Sequence, residues 1–421
     1  MKMKKQAFAA AAACVAALSA SAELIDRAPG IRIGQRMTLR PYVSMSYTYD
    51  TNIDSDRSDR SGSTWIVSPA FDLDYSAENW NAVARAWYQY HAYEGYSSQL
   101  NSSSYGESFS LGWQEPESVG KGWNLMVSER FTQISQDDDM SNHGGRGIGR
   151  DRKTFQADGA VGHRFTNNFH MHGYGGYYLL DYDNNVNKYA PLYGWKRLQA
   201  GGELGYTASR WLDFIISGSY QWYWQDNDRD LTGNWDDTTT RKAKSTSTGW
   251  TIHGGIGSYL SERISYRVLA GWSRFDYMKG LSNRDNVTYS VSSHWRVTDT
   301  LSVMLLGSSY YQPSEREYAS SILASTLSLG VGKSFIRGKV SSTFDLSYRH
   351  EECEYSSTAM GNYDEDIITG RLGINYNINR FVGIFGRAEY QTSMTSGGSS
   401  SIGNRYDYDR MRGTVGLRLS Y

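Results

Sequence analysis

The chain has 421 residues and a formal net charge of −1, so no basic surface favours nucleic-acid binding. After the N-terminus no apolar run reaches the length of about 20 residues that a transmembrane helix needs. The 33 tyrosines and 13 tryptophans are nevertheless typical of a chain that meets both an apolar and an aqueous phase.

The first 22 residues have the pattern of an export signal. Three lysines in the first five residues precede an apolar run over residues 7–18 and the small-residue sequence Ala20-Ser21-Ala22. We expect cleavage before Glu23, a short periplasmic lead-in over residues 23–36, and one transmembrane β-barrel over residues 37–421. Cleavage would leave Cys353 as the sole cysteine, so the fold needs no internal disulfide.

From residue 37 onwards, segments of about a dozen residues alternate apolar and polar side chains, and this period of two indicates β-strands. In the segment 65–75, Trp65 and Phe71 share one face, and Asp72 and Asp74 share the other. Short turns alternate with long polar connections, as in a transmembrane up-and-down barrel. We therefore predict an all-β, antiparallel transmembrane barrel of about 18 strands, with 16 or 20 as alternatives. A soluble β-sandwich or propeller would bury the apolar face instead.

One early region resembles a known family. The segment 40–53, Arg-Pro-Tyr-Val-Ser-Met-Ser-Tyr-Thr-Tyr-Asp-Thr-Asn-Ile, is similar to the first strand of a β-barrel porin family whose members often occur near exopolysaccharide or capsule gene clusters. The segment 68–75, Ser-Pro-Ala-Phe-Asp-Leu-Asp-Tyr, fits the strand that follows in that family. The resemblance implies an outer-membrane barrel with a polysaccharide link, and it brings no catalytic motif.

Two groups of side chains are weak candidates for metal sites. Asp226, Asp228, Asp230 and Asp237 have a spacing close to that of calcium loops, but Leu231 stands where the tight turn needs glycine. Solvated outer loops are the alternative interpretation of these carboxylates.

The second group consists of His163, His170 and His172, which flank a tight turn and could hold a metal, or could simply line the rim or the lumen. A barrel hydrolase would need a serine beside a histidine such as His253, His294 or His350, but no Gly-x-Ser-x-Gly context occurs. We therefore expect no enzyme and no cofactor.

If the apolar faces contact lipid, the opposite faces line the lumen. The charged residues predicted on that face are Arg85, Arg130, Arg164, Arg197, Arg267, Arg371, Arg387, Arg418, Asp158, Glu203, Asp213, Asp345 and Glu389. Their mild cationic excess favours anionic solutes in an open pore, whereas a ladder of paired charges would only brace the wall. Trp87, Tyr174 and Tyr223 could stack on sugars if the barrel carries polysaccharide.

The chain ends in alternating residues that resemble the β-signal of outer-membrane assembly. Thr414, Gly416, Leu419 and Tyr421 fit its polar, glycine, hydrophobic and aromatic positions. The expected partners are outer-membrane lipids, the barrel assembly machinery, and small polar solutes or polysaccharide. The sequence thus predicts an outer-membrane channel for polar or anionic solutes or a barrel associated with exopolysaccharide export. The alternatives are a structural or surface-binding barrel with long outer loops and, less favoured, a hydrolase.

Overall fold

The computed structural model describes residues 30–52, 61–94, 101–115, 122–134, 151–182, 194–209, 211–225, 245–258, 263–277, 283–313, 319–355, 362–397 and 407–421. Alternation of apolar and polar residues produces nineteen β-strands in these ranges. In chain order they are β1 (Ile31–Ile33), β2 (Met37–Asp50), β3 (Gly62–Ser76), β4 (Trp80–Glu94), β5 (Ser102–Gln114), β6 (Gly122–Ile134), β7 (Arg152–Arg164), β8 (Phe169–Tyr182), β9 (Trp195–Ser209), β10 (Leu212–Gln225), β11 (Ser245–Ser258), β12 (Ile264–Tyr277), β13 (Arg284–Thr298), β14 (Leu301–Pro313), β15 (Ala319–Phe335), β16 (Val340–Tyr355), β17 (Tyr363–Asn377), β18 (Val382–Gly397) and β19 (Tyr408–Ser420).

Strands β2 to β19 form a closed antiparallel barrel of eighteen strands, which confirms the predicted fold. Each strand pairs with its sequence neighbour, and β19 pairs with β2 from Arg412 opposite Asp50 to Ser420 opposite Tyr42. Closure removes the free sheet edges that would be costly in lipid. Within the described residues no helix has the length and apolarity to cross a membrane.

The two ends of the barrel differ in their connections. The turn end carries short links such as 165–168, 299–300 and 378–381, and the loop end carries longer ones such as 226–244. The short strand β1, within the expected lead-in, pairs with the start of β2 at the turn end. The predicted signal, residues 1–22, lies outside the described residues.

Side-chain exposure identifies the inner and outer faces of the wall. On β19, Val415 is 63% exposed, and Leu417 and Leu419 on the same face are also exposed. On the other face, Arg410 is only 1% exposed. Because the interior of a closed barrel brings side chains from different strands together, the face of Arg410 is the inner one.

Aromatic rings form two girdles on the outer face. Ring pairs occur at the turn end, where Trp80–Trp113 and Phe381–Tyr421 have centroids 6.0 Å apart, and at the loop end, where Tyr47–Trp65 and Tyr105–Phe131 lie 5.0 and 6.0 Å apart. Two such girdles flank the apolar band of a membrane barrel, where the rings meet both membrane–water interfaces.

Candidate channel lumen

The cross-strand register brings charged residues of the inner face side by side. Arg40, Asp72, Arg85, Ser108 and Arg130 occupy successive partner positions from β2 to β6. All thirteen charged residues predicted for the lumen follow this parity around the barrel and lie on the inner face. Side chains on one face of neighbouring strands are about 5 Å apart and can therefore interact directly.

A ladder of alternating charge crosses the seam where the barrel closes. Asp345, Arg371, Glu389, Arg412 and Asp50 are successive register partners on β16, β17, β18, β19 and β2. Arg371 Nε donates to Glu389 Oε2 at 2.5 Å, and Arg412 Nε donates to Asp50 Oδ2 at 3.1 Å. This part of the inner face is the paired ladder that the sequence left as an alternative to free charge.

Asp50 and Arg410 complete this seam, and the sequence analysis did not single them out. Arg410 Nη2 donates to Asp50 Oδ2 at 2.5 Å and its Nε donates to the same oxygen at 2.9 Å, with both residues buried. Both residues lie on the inner face, one in the first and one in the last barrel strand. This placement could have predicted their contact from the sequence. The two guanidinium groups of Arg410 and Arg412 on one buried carboxylate form charge-assisted hydrogen bonds that join the first and last barrel strands.

Two further ion pairs connect inner-face residues away from the seam. Arg85 forms a two-point contact with Asp72, with Nε–Oδ1 at 2.6 Å and Nη2–Oδ2 at 3.0 Å. Arg267 on β12 contacts Glu203 on β9, so this pair spans three strand intervals. These contacts neutralise three of the thirteen predicted residues, Arg85, Arg267 and Glu203, and stiffen the wall.

Five of the predicted arginines have no carboxylate within salt-bridge distance in the described part of the chain: Arg130, Arg164, Arg197, Arg387 and Arg418. Three of these arginines contact neutral groups. Arg418 Nη2 donates to Asn377 Oδ1 at 3.3 Å, and the guanidinium carbons of Arg387 and Arg197 lie 5.4 and 5.8 Å from the rings of Phe385 and Tyr178.

The remaining predicted carboxylates are fewer and less exposed. Asp158 Oδ2 accepts from Gln156 Nε2 at 2.6 Å, Asp213 is buried, and Asp345 stands opposite Arg371 in the register. Among the thirteen predicted residues, the charge without an ion-pair partner is therefore mainly positive, which favours anions through long-range attraction and local contact.

The three aromatic residues proposed to stack on sugars differ in availability. Trp87 packs against Gly106, and Tyr174 packs against Gly201, where the missing side chains leave room for the rings. Tyr223 is only 1% exposed, and its hydroxyl contacts Gln221 and the Tyr311 carbonyl. The prediction for Tyr223 is wrong in this conformation, because neighbouring aromatic side chains cover its ring.

The hypothesis that His163, His170 and His172 lie together as possible metal ligands is also wrong. His170 and His172 share the inner face with ring centroids 5.5 Å apart, but His163 belongs to the outer face, where it packs against Trp123 at 4.3 Å. A one-residue offset across the β7–β8 turn causes this, because facing alternates with each residue. Among the described residues no three His, Cys, Asp or Glu side chains could hold a metal ion together. Asp226, Asp228, Asp230 and Asp237 lie outside the described residues.

The histidines considered for hydrolysis have other contacts. His253 Nε2 lies 2.9 Å from Thr288 Oγ1 on the inner face. On the outer face, His350 Nδ1 lies 2.9 Å from Asp366 Oδ1, but the neighbouring Ser325 hydroxyl donates to Ser309 Oγ at 3.2 Å. The serine beside the histidine–carboxylate pair thus directs its proton elsewhere.

The residues of the C-terminal signal lie where β19 meets β2 and β18. Thr414 Oγ1 lies 2.9 Å from Thr48 Oγ1, and the ring of Phe385 covers Gly416 so closely that a Cβ would collide with it. Leu419 and Tyr421 are exposed on the outer face. Each position therefore has a structural use in the closed barrel, and recognition by assembly machinery stays a prediction.

The sequence did not predict two apolar clusters at the loop end of the barrel. The first contains Leu180, Tyr182, Trp195, Tyr223 and Phe275, with Tyr178 and Tyr311 packed against it. The second contains Ile322, Ala324, Cys353 and Tyr363, with Tyr310 packed against it. Both clusters place apolar side chains near the loop end of an otherwise polar inner face.

Two family profiles match separate parts of the chain. Residues 225–421 match "Putative beta-barrel porin 2", and residues 37–171 match "Putative MetA-pathway of phenol degradation". Together with the closed barrel these matches define the class: the chain is an outer-membrane β-barrel and is porin-like in its C-terminal half. No curated protein sequence matches the chain.

Three solved structures illustrate the distant matches to this chain. A mutant of the ferric enterobactin receptor PfeA from Pseudomonas aeruginosa is 8% identical with a TM-score of 0.44 over 94% of this chain and 82% of that one. The FrpB iron transporter from Neisseria meningitidis is 8% identical, with a TM-score of 0.44 over 92% and 82% of the two chains. The siderophore receptor PirA from Acinetobacter baumannii is 9% identical, with a TM-score of 0.42 over 93% and 81%.

Proposed function

We propose that this barrel is a passive, non-enzymatic channel for small polar solutes that favours anions. The observation that carries the proposal is the set of five inner-face arginines that contact no carboxylate in the described ranges. In a pore whose wall has a low dielectric constant, uncompensated cations attract anions and replace part of their hydration shell. No dedicated binding site is needed, since passage requires weak contacts that release the solute again.

The direct test is conductance of the purified protein in a planar bilayer. We expect discrete current steps. Across a potassium chloride gradient, we expect a reversal potential shifted from zero toward the chloride equilibrium potential, which means that chloride is more permeant than potassium. A reversal potential on the potassium side would contradict the anion preference. The lack of current steps at any voltage would contradict the channel itself.

Substitution of an uncompensated arginine tests where the selectivity arises. Arg164→Gln should shift the reversal potential toward the potassium side, because it removes one uncompensated charge from the lumen. Lys153→Gln is a matched control on the same strand, because Lys153 belongs to the outer face. An equal shift in both variants would contradict a luminal origin of the preference, since both substitutions change the net charge equally.

A second candidate function is passage of polysaccharide, which the resemblance of the first strands implies. Trp87 and Tyr174 favour it, because an aromatic face beside glycine can stack on a sugar ring. Liposome swelling should then be faster with neutral oligosaccharides than with a polyol of equal size, and Trp87→Ala should remove the difference. Equal rates for both solutes would leave the anion channel as the function.

We also propose that the chain is exported and inserted into the outer membrane. The export signal, outer-membrane lipids and the barrel assembly machinery explain how the chain reaches its membrane. Anchoring through the long outer loops is the alternative function, and surface binding with no conductance would favour it. Turnover of a lipid ester by the purified barrel would favour the hydrolase instead.

A further inference from the structure

The hairpin formed by β14 and β15 leaves the barrel wall at the loop end. Pairing between β13 and β14 stops at Ser290 opposite Ser308, although β13 begins at Arg284 and β14 continues to Pro313. The β14–β15 pairing continues to Pro313 opposite Ser321, and β16 stays paired with β15 as far as Tyr355. The end of the hairpin has therefore separated from β13 while remaining attached to β16.

The burial of the hairpin shows the direction of this movement. Ser309 and Leu323 have outer-face parity, yet each is only 6% exposed. Ile322 and Ala324, which have inner-face parity, are buried as well. Since residues on both faces are buried, the end of the hairpin lies inside the barrel mouth and away from lipid.

Contacts with β12 and β10, on the far side of β13, hold the hairpin in this position. Tyr311 packs against Phe275 of β12 with ring centroids 5.9 Å apart, and the Tyr223 hydroxyl of β10 donates to the Tyr311 carbonyl at 3.2 Å. Where β13 and β14 separate, the Tyr289 hydroxyl of β13 extends across β14 and donates to the Thr326 carbonyl of β15 at 3.2 Å.

We propose that this hairpin end, Ser309–Pro313 with Ser321–Ser325, is the gate of the channel, a role that rests on the proposed function. In the structure it is folded inward and narrows the loop end. In the open state, β14 would extend its pairing with β13 in the existing register and restore the wall.

The sequence of β14 fits that second position. Extending the register from Ser290 and Ser308 sets Tyr311 opposite Val287, on the outer face beside the exposed Trp272. Tyr311 would then join the aromatic girdle of the loop end. Tyrosine is enriched at such a membrane interface because its ring contacts lipid and its hydroxyl contacts water. The inward and outward positions thus both give Tyr311 a favourable environment, which is what a two-state element requires.

A cysteine pair tests whether β14 ever reaches the open register. In a Cys353→Ala background, Val287→Cys combined with Tyr311→Cys forms a disulfide only when the two strands pair beyond Ser290. Ser293→Cys with Leu305→Cys is the matched control, because these partners lie on the same face and are already paired. We expect the control to oxidise fully and the test pair to oxidise progressively in a native membrane.

Mass spectrometry and gel mobility report the disulfide without requiring any current. A test pair that stays reduced while the control oxidises would overturn the gate. If the pair oxidises and native protein gives no current, the moving hairpin stands and the channel proposal fails. In conducting protein, oxidation should hold the channel in its high-conductance state, and unchanged conductance would overturn the gating role.

A second variant keeps the proposal testable should the cysteine pair fail to assemble. Phe275→Leu removes the ring that holds Tyr311 inward and should raise the ratio of open to closed dwell times by about two- to tenfold. Phe71→Leu, an aromatic loss on the exposed outer face of β3, should leave the ratio unchanged. Equal dwell-time ratios in native protein and Phe275→Leu would contradict the gate.

Discussion

At the scale of single residues, the decisive contacts join the first and last strands of the barrel. Asp50 accepts from Arg410 and Arg412 inside the seam between β2 and β19, and Arg410 is almost fully buried. A buried cation without its carboxylate is far more costly than an exposed one, because water cannot replace the lost partner. Asp50 should therefore affect stability more than other aspartates of the wall.

Replacing Asp50 by asparagine tests this seam. Asp50→Asn should lower the free energy of unfolding by about 3–5 kcal/mol, measured by urea titration of the folded barrel in detergent. Asp276→Asn is the control, because its pair with Arg274 is exposed and screened by water, so we expect almost no change. A similar small loss in both variants would contradict a structural role of the buried cluster.

The sequence predicted the facing of these residues but not their individual partners. Alternation decides which side of a strand each residue occupies, so the inner-face parity of Arg371 and Glu389 followed from the pattern alone. Pairing partners depend on register between strands, which alternation does not determine. For that reason the Arg267–Glu203 contact emerged only from the structure. The place of His163 on the outer face already follows from alternation, because the adjacent Arg164 was predicted to line the lumen.

At the scale of elements, the strand number was predictable because each strand repeats the same alternation between recognisable turns. The inward hairpin end of β14 and β15 was not, since the alternation along residues 301–311 indicates only a regular strand. Local periodicity does not report a contact with Phe275 on β12. The apolar clusters of the loop end escaped prediction for the same reason, because their members come from different strands.

The turn between β15 and β16 carries backbone strain that a substitution can relieve. Ile336 has a φ of +50°, a conformation that β-branched residues rarely adopt. Ile336→Asn should raise the free energy of unfolding by about 1 kcal/mol, because asparagine tolerates this region. Gly338 has a φ of +86°, so Gly338→Ala should lower the same quantity by a similar amount.

The control for the turn separates strain from the loss of an apolar side chain. Ile378, also exposed in a short turn, has no such positive φ, so Ile378→Asn should not stabilise the barrel. Thermal unfolding in the same detergent compares all three variants. A gain in stability for Ile378→Asn equal to that for Ile336→Asn would contradict relief of strain as the cause.

At the scale of the whole molecule, one geometric relation connects fold and function. Alternation directs most exposed aliphatic and aromatic residues outward and most charged residues inward around the barrel, whereas the apolar clusters of the loop end lie inside. Closure between β19 and β2 leaves no edge in the membrane, and the surplus of cations on the inner face supports anion passage. The inward hairpin then adds control at the loop end.

Labelling of two adjacent residues in the middle of β16 tests this relation most directly. In a Cys353→Ala background, reconstituted in lipid vesicles, Leu346→Cys faces outward and Ser347→Cys faces inward. We predict that a charged water-soluble maleimide labels Ser347→Cys, whereas a fluorophore at Leu346→Cys is quenched by brominated lipid. Aqueous labelling of Leu346→Cys with no lipid quenching would contradict the membrane-facing outer wall, and with it the channel.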